Sequence, residues 1–385
     1  MDELFKECLQ AQAVLKGWRT NADVRSIECP RKESVSDYGQ GVETLAGVQS
    51  FPNLEEIMMY GSGNPALGQI SDLSPLRGLN RLRVIEMYDS AVQTLEPLRG
   101  RTRLERLVFI PTSFTDLSPL ETLPNLNHIN FSSQNIYLPP IQDFSPLSNI
   151  ASLRELHLAP QSQLKGAGLG FLNGMSGLRL LNISQNWMTD LNGIQFVPGL
   201  EVLDISYNHF MSINEAESTP LLSTLTNLKE FYSASFGGQS LAFIQNMPEL
   251  EILVLTRKWQ IDAAEMTYIG SLSNLRELWL RDITVYMDIS PLQGLSNLRK
   301  LWIASSDIDG ATFVLPETLE SLKEIHLLDA FNSQYSYGER RGDFKASYSV
   351  FQDLPSLTTL NMIHPWLADP VGVTLNPNID SLMMS

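Results

Sequence analysis

The sequence repeats one short pattern along almost its whole length. Each copy has Leu at position 1 and apolar residues at positions 4 and 6, as in Leu54, Ile57 and Met59. Clear copies begin at Leu54, Leu82, Leu104, Leu126, Leu153, Leu178, Leu200, Leu228, Leu250, Leu275, Leu298, Leu322 and Leu357, and divergent ones at Val24 and Ile379. Successive copies lie 22 to 30 residues apart, with one spacing of 35 between Leu322 and Leu357. A repeat of this length predicts a stacked solenoid.

Alternating apolar residues at positions 4 and 6 predict a short strand with one buried face. A single strand of this kind cannot hide its apolar face, so we expect the copies to stack into one parallel sheet over a shared core. The prediction is an α/β solenoid with about 14–15 strands. We expect a helical cap over residues 1–20, followed by one continuous domain over residues 21–385 with an inserted loop at 329–350.

The segments that return from one strand to the next carry a second motif. Asp72-Leu73-Ser74-Pro75-Leu76 recurs as Asp116-Leu117-Ser118-Pro119-Leu120, Asp143-Phe144-Ser145-Pro146-Leu147 and Asp288-Ile289-Ser290-Pro291-Leu292. Ser before Pro is a helix-start signal, and we expect the Ser hydroxyl to cap free amides. Only about seven residues separate this Pro from the next strand, which leaves room for one helical or 3₁₀ turn.

Together these motifs resemble the leucine-rich-repeat family, in particular its bacterial internalin-type subclass. The resemblance covers about residues 20 to 385 and implies a right-handed curved solenoid whose concave sheet face binds proteins. The family usually places a buried Asn at position 9 of the repeat, where it satisfies backbone groups. Here only Asn186 and Asn208 match, whereas positions such as Ser90 depart from the pattern. We therefore expect less regular turns at the strand exits.

The N-terminal segment, residues 2–17, mixes apolar and polar residues in a way that fits an amphipathic helix covering the first strand. The two cysteines are Cys8 and Cys29. We expect both to be buried as small hydrophobic groups, with a disulfide as the alternative. Few cysteines, no signal-peptide pattern and no long apolar run predict a cytoplasmic protein. Secretion by a route without a signal peptide is the alternative.

The net charge of −16 and pI near 4.7 disfavour binding to nucleic acid or to an anionic membrane surface. They are compatible with a basic protein partner. We expect a monomer without cofactor. A structural subunit of a larger assembly is the alternative, with Met58, Tyr60 and Tyr88 as a possible self-association face.

Residues at positions 3, 5 and 7 of each strand point away from the core. At these positions we predict a partner-binding cluster, because aromatic residues beside Arg are typical of interface hot spots. Its members are Trp279, Trp302, His326, Arg281, Lys300, Glu277, Glu324 and Tyr232. The 329–350 loop is expected to add Tyr335, Tyr337, Arg340 and Arg341. The alternative is that this loop folds over the two tryptophans and hides them.

The sequence gives little support for a catalytic function. His128, Glu155 and His157 lie on outward positions of adjacent predicted strands and could in principle hold a metal ion. Without a metal-binding motif, a polar sheet face is the favoured interpretation, so we expect no metal. Some leucine-rich-repeat effectors carry a ubiquitin-ligase domain with a catalytic cysteine, but no cysteine follows Cys29 here. We therefore expect a binding protein and not an enzyme.

Overall fold

The computed structural model describes most of the chain. The described residues are 2–30, 41–61, 69–110, 113–132, 141–160, 164, 168–209, 215–234, 240–257, 261–283, 289–304, 315, 318–328, 351, 354–363 and 376–384. The 329–350 loop, with Tyr335, Tyr337, Arg340 and Arg341, lies outside the described residues. The alternative that this loop covers Trp279 and Trp302 also concerns residues outside the described part of the chain.

The described residues form fifteen parallel strands, and neighbouring strands of the sheet follow each other in chain order. The strands are β1 (Ser26–Cys29), β2 (Glu56–Tyr60), β3 (Val84–Tyr88), β4 (Arg106–Ile110), β5 (His128–Asn130), β6 (Glu155–His157), β7 (Leu180–Asn182), β8 (Val202–Asp204), β9 (Glu230–Ala234), β10 (Ile252–Thr256), β11 (Glu277–Arg281), β12 (Lys300–Ala304), β13 (Glu324–Leu328), β14 (Thr359–Ile363) and β15 (Ser381–Met384). The predicted parallel repeat fold is confirmed.

The chain divides into two compact units. Unit 1 comprises Met1–Trp187 and Asn192–Val197 and contains β1 to β7. Unit 2 comprises Met188–Leu191 and Pro198–Ser385 and contains β8 to β15. The division predicted from the sequence, a cap over residues 1–20 and one solenoid domain over 21–385, stays a prediction.

The core of each unit is built from the repeat positions that the sequence marks as apolar. Ile57, Ile85 and Leu107 are paired across β2, β3 and β4, and all three are fully buried. In unit 2 the corresponding residues Leu278 and Leu301 are also paired and fully buried. Because the strands within each unit are paired in register, these side chains form continuous apolar rows, and their burial is the main stabilising contribution to the fold of each unit.

Most described returns are short 3₁₀ turns, as expected. They span Val48–Ser50, Ser74–Leu76, Glu96–Leu98, Ser118–Thr122, Ser145–Asn149, Gly170–Leu172, Ile194–Phe196, Ala242–Asn246 and Ser290–Gly294. The predicted cap by the Ser hydroxyl is wrong. Instead the Asp two residues earlier accepts the Ser N–H, at 2.7 Å from Asp72 Oδ1 to Ser74 N. The same contact joins Asp116 to Ser118. Ser itself occupies the first turn beside Pro.

Two returns in unit 2 differ from this pattern, because they hold α-helices of eight residues. These are α2 (Glu215–Leu222) and α3 (Ala263–Gly270). Their repeats are 28 and 25 residues long, so the extra chain has room for two helical turns. At the start of α3, Asp262 accepts the Glu265 N–H at 2.9 Å, and the Glu265 carboxylate accepts the Asp262 N–H. This reciprocal capping supports a helix at that position.

The predicted N-terminal helix is present as α1 (Glu3–Lys16), which lies against the free edge of β1. Gln12 is buried and binds the Glu28 backbone from both ends of its amide: Nε2 lies 2.7 Å from Glu28 O, and Oε1 lies 3.3 Å from Glu28 N. Phe5 is fully buried in the same contact. The helix therefore satisfies backbone groups that an open sheet edge would leave unpaired.

Cys8 and Cys29 form a disulfide between α1 and β1, with Cα atoms 5.7 Å apart. The expectation of two separate buried thiols is wrong; adjacency of the helix and the edge strand places the two sulfur atoms in bonding distance. A disulfide is typical of oxidising compartments. The prediction of a cytoplasmic location therefore gains no support from the cysteines.

Reduction of this disulfide should loosen the N-terminal helix. The bond closes a loop between residues 21 positions apart, and without it the unfolded segment regains conformational freedom. We expect faster amide hydrogen exchange within α1 on addition of a reductant, while β10 and β11 stay unchanged. A Cys8→Ser variant should exchange equally fast with and without reductant. Unaltered exchange in α1 of the reduced wild type would contradict this prediction.

Position 9 of the repeat shows why Asn is suited to the strand exit. Asn186 is fully buried, and its Nδ2 donates to the carbonyl oxygens of Leu158, Ile183 and Ser184 at 2.8 to 2.9 Å. Ser90 occupies the same position in an earlier repeat. It is also buried, but its hydroxyl has no hydrogen-bond partner among the described residues. Ser90 therefore fills the position but, unlike Asn186, donates no hydrogen bond to the backbone carbonyl oxygens of the described residues.

We expect Ser90→Ala to leave the free energy of unfolding unchanged or to raise it by up to about 1 kcal/mol, because the substitution removes a buried hydroxyl that makes no hydrogen bond to any described residue. The midpoint of urea unfolding measures the effect. A clear decrease in that midpoint would mean that the hydroxyl has a stabilising partner.

Candidate functional site

The predicted cluster in unit 2 occupies one outward row of the sheet. Register pairing aligns Tyr232, Val254, Trp279, Trp302, His326 and Asn361 on β9 to β14. Outward residues two positions earlier on the same strands include Glu230, Glu277, Lys300 and Glu324. The sheet therefore places one aromatic row beside one charged row.

Three rings of this row stack on one another. The ring centres of Trp279 and Trp302 lie 4.6 Å apart, with 8° between the ring planes. Those of Trp302 and His326 lie 4.3 Å apart, with 19° between the planes. Because the strand spacing of about 4.8 Å is close to the distance between the centres of offset-stacked rings, neighbouring outward aromatic side chains can pack face to face. Both indoles are half-buried, so the stack is a rigid structure with part of its surface open to contact.

Charged side chains hold the stack in place. Lys300 Nζ lies 4.9 Å from the centre of the Trp279 ring and 5.9 Å from that of Trp302, within the range of cation–π attraction. The same ammonium lies 3.1 Å from Glu324 Oε2. On the other side, Trp279 Nε1 donates to Glu277 Oε2 at 3.2 Å. The predicted residues Glu277, Lys300 and Glu324 thus contact the aromatic row directly.

The protonation states in the cluster follow from these contacts. The ammonium of Lys300 lowers the pKa of Glu324, so this carboxylate is ionised at neutral pH. Burial lowers the pKa of His326, although Glu324 opposes the shift. His326 is therefore neutral at pH 7. Its Nδ1 is buried without a hydrogen-bond partner among the described residues.

Two other predicted residues, Tyr232 and Arg281, lie on the same sheet but outside the stack of rings. Tyr232 lies two strands from Trp279, and its hydroxyl donates to Glu230 Oε2 at 2.7 Å; burial raises its pKa. Arg281 is exposed beyond the end of the stack and lies 3.6 Å from Asp282 Oδ2. Neither residue contacts the stacked rings. The predicted membership of all these residues in a binding site stays a prediction.

Unit 1 has a second polar cluster on the outward sheet face. Glu86 is buried there, accepts a hydrogen bond from Tyr88 at 2.9 Å and pairs with Arg106 at 2.6 Å. Desolvation raises the pKa of Tyr88 to about 12. The sequence indicated this ion pair only indirectly, through a Glu and an Arg at outward positions of adjacent strands. Tyr88 also stacks on Tyr60 at 4.6 Å, so the proposed self-association face is partly occupied by internal contacts.

Three further residues of unit 1, noted in the sequence as possible metal ligands, do come together. His128 Nδ1 lies 2.6 Å from Glu155 Oε2. The ring centres of His128 and His157 are 5.4 Å apart. Burial is the main cause that lowers the pKa of both histidines, to about 4 for His157, so both are neutral at pH 7.

Two solved structures share the fold of this chain. An internalin (InlF) from Listeria monocytogenes superposes with a TM-score of 0.59 at 20% sequence identity, over 99% of this chain and 94% of the other. A leucine-rich-repeat protein of Leptospira interrogans gives a TM-score of 0.60 at 16% identity, over 91% of this chain and 86% of the other. The fold is a leucine-rich-repeat solenoid.

The resemblance to the internalin-type fold that the Asp-hydrophobic-Ser-Pro-Leu motif indicated is thus confirmed at the level of structure. At the level of sequence, no protein-family model and no curated protein matches the chain. None of the described helices is long and apolar enough to cross a lipid bilayer. Both cysteines are in the disulfide, so no thiol remains as a nucleophile while this bond is intact.

Proposed function

We propose that this chain is a non-catalytic scaffold that binds another protein through the outward sheet face of unit 2. The observation that carries the proposal is the stack of Trp279, Trp302 and His326, which strand register holds on the face opposite the core. Core packing does not require large aromatic rings on that face. Rigid, partly exposed aromatic side chains are typical of the centre of a protein interface.

The charge of the chain favours a basic partner, because a net charge of −16 attracts positive surfaces at long range. An inhibitor-type, immunity-type or effector-type interaction is in keeping with this preference. The 329–350 loop, with Tyr335, Tyr337, Arg340 and Arg341, is included in the proposed surface on its composition alone. Binding to a basic partner should weaken as salt concentration rises.

The first test compares partner recovery from native cells by wild type and variants, with quantitative mass spectrometry. We expect the double variant Trp279→Ala/Trp302→Ala to recover at least about tenfold less of the specific partner, because truncating a hot-spot residue typically costs about 2 kcal/mol or more. Trp187→Ala is the matched control, since Trp187 is 53% exposed and lies at a strand exit of unit 1. Equal recovery by wild type and the double variant would overturn the proposed surface.

The alternative of a structural subunit predicts a different result. A scaffold that acts on its own should remain a monomer at all concentrations in light-scattering measurements. Concentration-dependent assembly that Tyr60→Ala and Tyr88→Ala abolish would favour the self-association face of unit 1 instead.

A further inference from the structure

His128, Glu155 and His157 form a compact group on the outward face of unit 1. His128 lies on β5 and is paired in register with Glu155 on β6, and His157 follows two residues later on the same strand. The two strands are adjacent, so parallel pairing brings three potential ligand side chains to one place. None of the three belongs to the aromatic row of unit 2 that the proposed function uses.

The donor atoms of this group are within the distance range of a metal site. One donor atom from each residue can be chosen so that all three lie within 4.8 Å of one another. Zinc–nitrogen bonds of about 2.0–2.1 Å in a tetrahedral site place ligand atoms about 3.4 Å apart. The Glu155 side chain is 48% exposed and so has room to rotate toward the two histidines.

An unpaired atom in the group supplies a second observation. His128 is 7% exposed, and its Nδ1 is occupied by the contact with Glu155. Its Nε2 is buried and has no hydrogen-bond partner among the described residues. A buried nitrogen without a hydrogen bond lowers the stability of the fold, and coordination of a metal ion would satisfy this nitrogen. A carboxylate that binds one nitrogen of a histidine ring while the other nitrogen is left for a metal is a common arrangement in zinc sites.

We propose that His128, Glu155 and His157 bind one divalent transition-metal ion of the Zn²⁺ class. Two imidazoles and one carboxylate suit such an ion, whereas Ca²⁺ and Mg²⁺ prefer sites made of oxygen ligands alone. His128 Nε2 and one nitrogen of His157 are direct ligands, and Glu155 either completes the set or orients His128. Fewer than four protein ligands leave at least one position for water or for a side chain of a partner.

The surroundings are compatible with a cation. Arg106 is paired in register with His128 and brings a positive charge near the group, but its Nε lies 2.6 Å from the buried Glu86 carboxylate, which offsets that charge. Glu155 then supplies a net negative charge at the site. Asn130, the outward neighbour of His157 on β5, is uncharged.

The test is a titration of the full-length, chelator-treated chain with Zn²⁺ in competition with a chromophoric chelator. We expect one ion per chain, and we expect His128→Ala, His157→Ala and Glu155→Gln each to weaken binding at least about tenfold. His209→Ala is the matched control, because His209 is an exposed histidine of unit 2 that belongs neither to this group nor to the aromatic row. The affinity of this variant for Zn²⁺ should equal that of wild type.

Glu155→Gln also protects the test against a folding artefact, since the side chain keeps its shape and is largely exposed. Bound Co²⁺ gives a second readout, because its visible absorption reports nitrogen and oxygen ligands; the band should vanish in His157→Ala. Absence of zinc binding by wild type would overturn the proposal. So would wild-type affinity in any of the three cluster variants, or loss of binding in His209→Ala alone. The outcome is independent of the Trp279 and Trp302 variants.

Discussion

Replacing Phe109 with Ala should lower the free energy of unfolding of unit 1 by about 3–5 kcal/mol, the usual cost of truncating a large buried aromatic. Phe109 is fully buried at position 6 of its repeat. Its ring packs edge-to-face on Phe114, with ring centres 5.5 Å apart, and lies 6.2 Å from Phe131. The substitution leaves a cavity that adjacent repeats cannot fill, because strand register fixes their backbones. It also removes two aromatic contacts.

Urea unfolding followed by circular dichroism measures this effect as a shift of the transition midpoint. The matched control is Phe196→Ala, the same chemical change at a residue of unit 1 that is 40% exposed. We expect the control to cost less than about 1 kcal/mol. Equal shifts for the two variants would mean that the aromatic cluster is not a central part of the core.

The second large effect is expected for Asn186→Leu, which we predict to cost about 3 kcal/mol. Leu has the same number of side-chain heavy atoms and the same branching as Asn but no amide, so the carbonyl oxygens of Leu158, Ile183 and Ser184 lose their donor while remaining in the core. Leaving a buried polar group unpaired costs about 1–3 kcal/mol, and the three carbonyls share one donor group.

Asn125→Leu is the matched control for this variant. Asn125 is exposed and donates a single hydrogen bond, to Thr102 O at 2.6 Å. Because water can replace that bond, the expected cost is below about 1 kcal/mol. Hydrogen exchange of the strand exits should also accelerate in Asn186→Leu only. Wild-type stability of Asn186→Leu would show that the turn does not depend on the amide.

Repeat periodicity was sufficient to predict the strands, their parallel order and their buried residues, since the alternation at positions 4 and 6 leaves one arrangement that hides the leucines. It also identified Asn186 at position 9 as a buried Asn that binds backbone groups. It did not reveal that in three of the Asp-hydrophobic-Ser-Pro-Leu motifs Asp72, Asp116 and Asp143, and not the Ser, bind the free amide, because both side chains are good caps. The disulfide was missed because the approach of α1 to β1 depends on tertiary packing.

For the candidate site, the sequence predicts which residues are neighbours on the outward face but not how their side chains are arranged. Position 5 identifies Trp279, Trp302 and His326 as outward neighbours, and the structure adds that the three rings stack and that Lys300 lies beside two of them. Ring orientation and distance depend on side-chain torsions, which periodicity does not determine. For His128 the sequence alone favoured a polar face without a metal. The structure alone shows that His128 Nε2 is buried and has no hydrogen-bond partner among the described residues.

Site-specific photo-crosslinking in native cells tests most directly whether a protein partner binds the outward sheet face of unit 2. A benzophenone amino acid replaces Trp279 in one variant and Gln293 in the other. Gln293 is the matched control because it is exposed on the 3₁₀ turn Ser290–Gly294, the return into the strand that carries Trp302. We predict a discrete crosslinked protein partner at position 279 and none at position 293. Crosslinking at 293 but not at 279, or an identical set of products at both, would contradict binding through the outward sheet face.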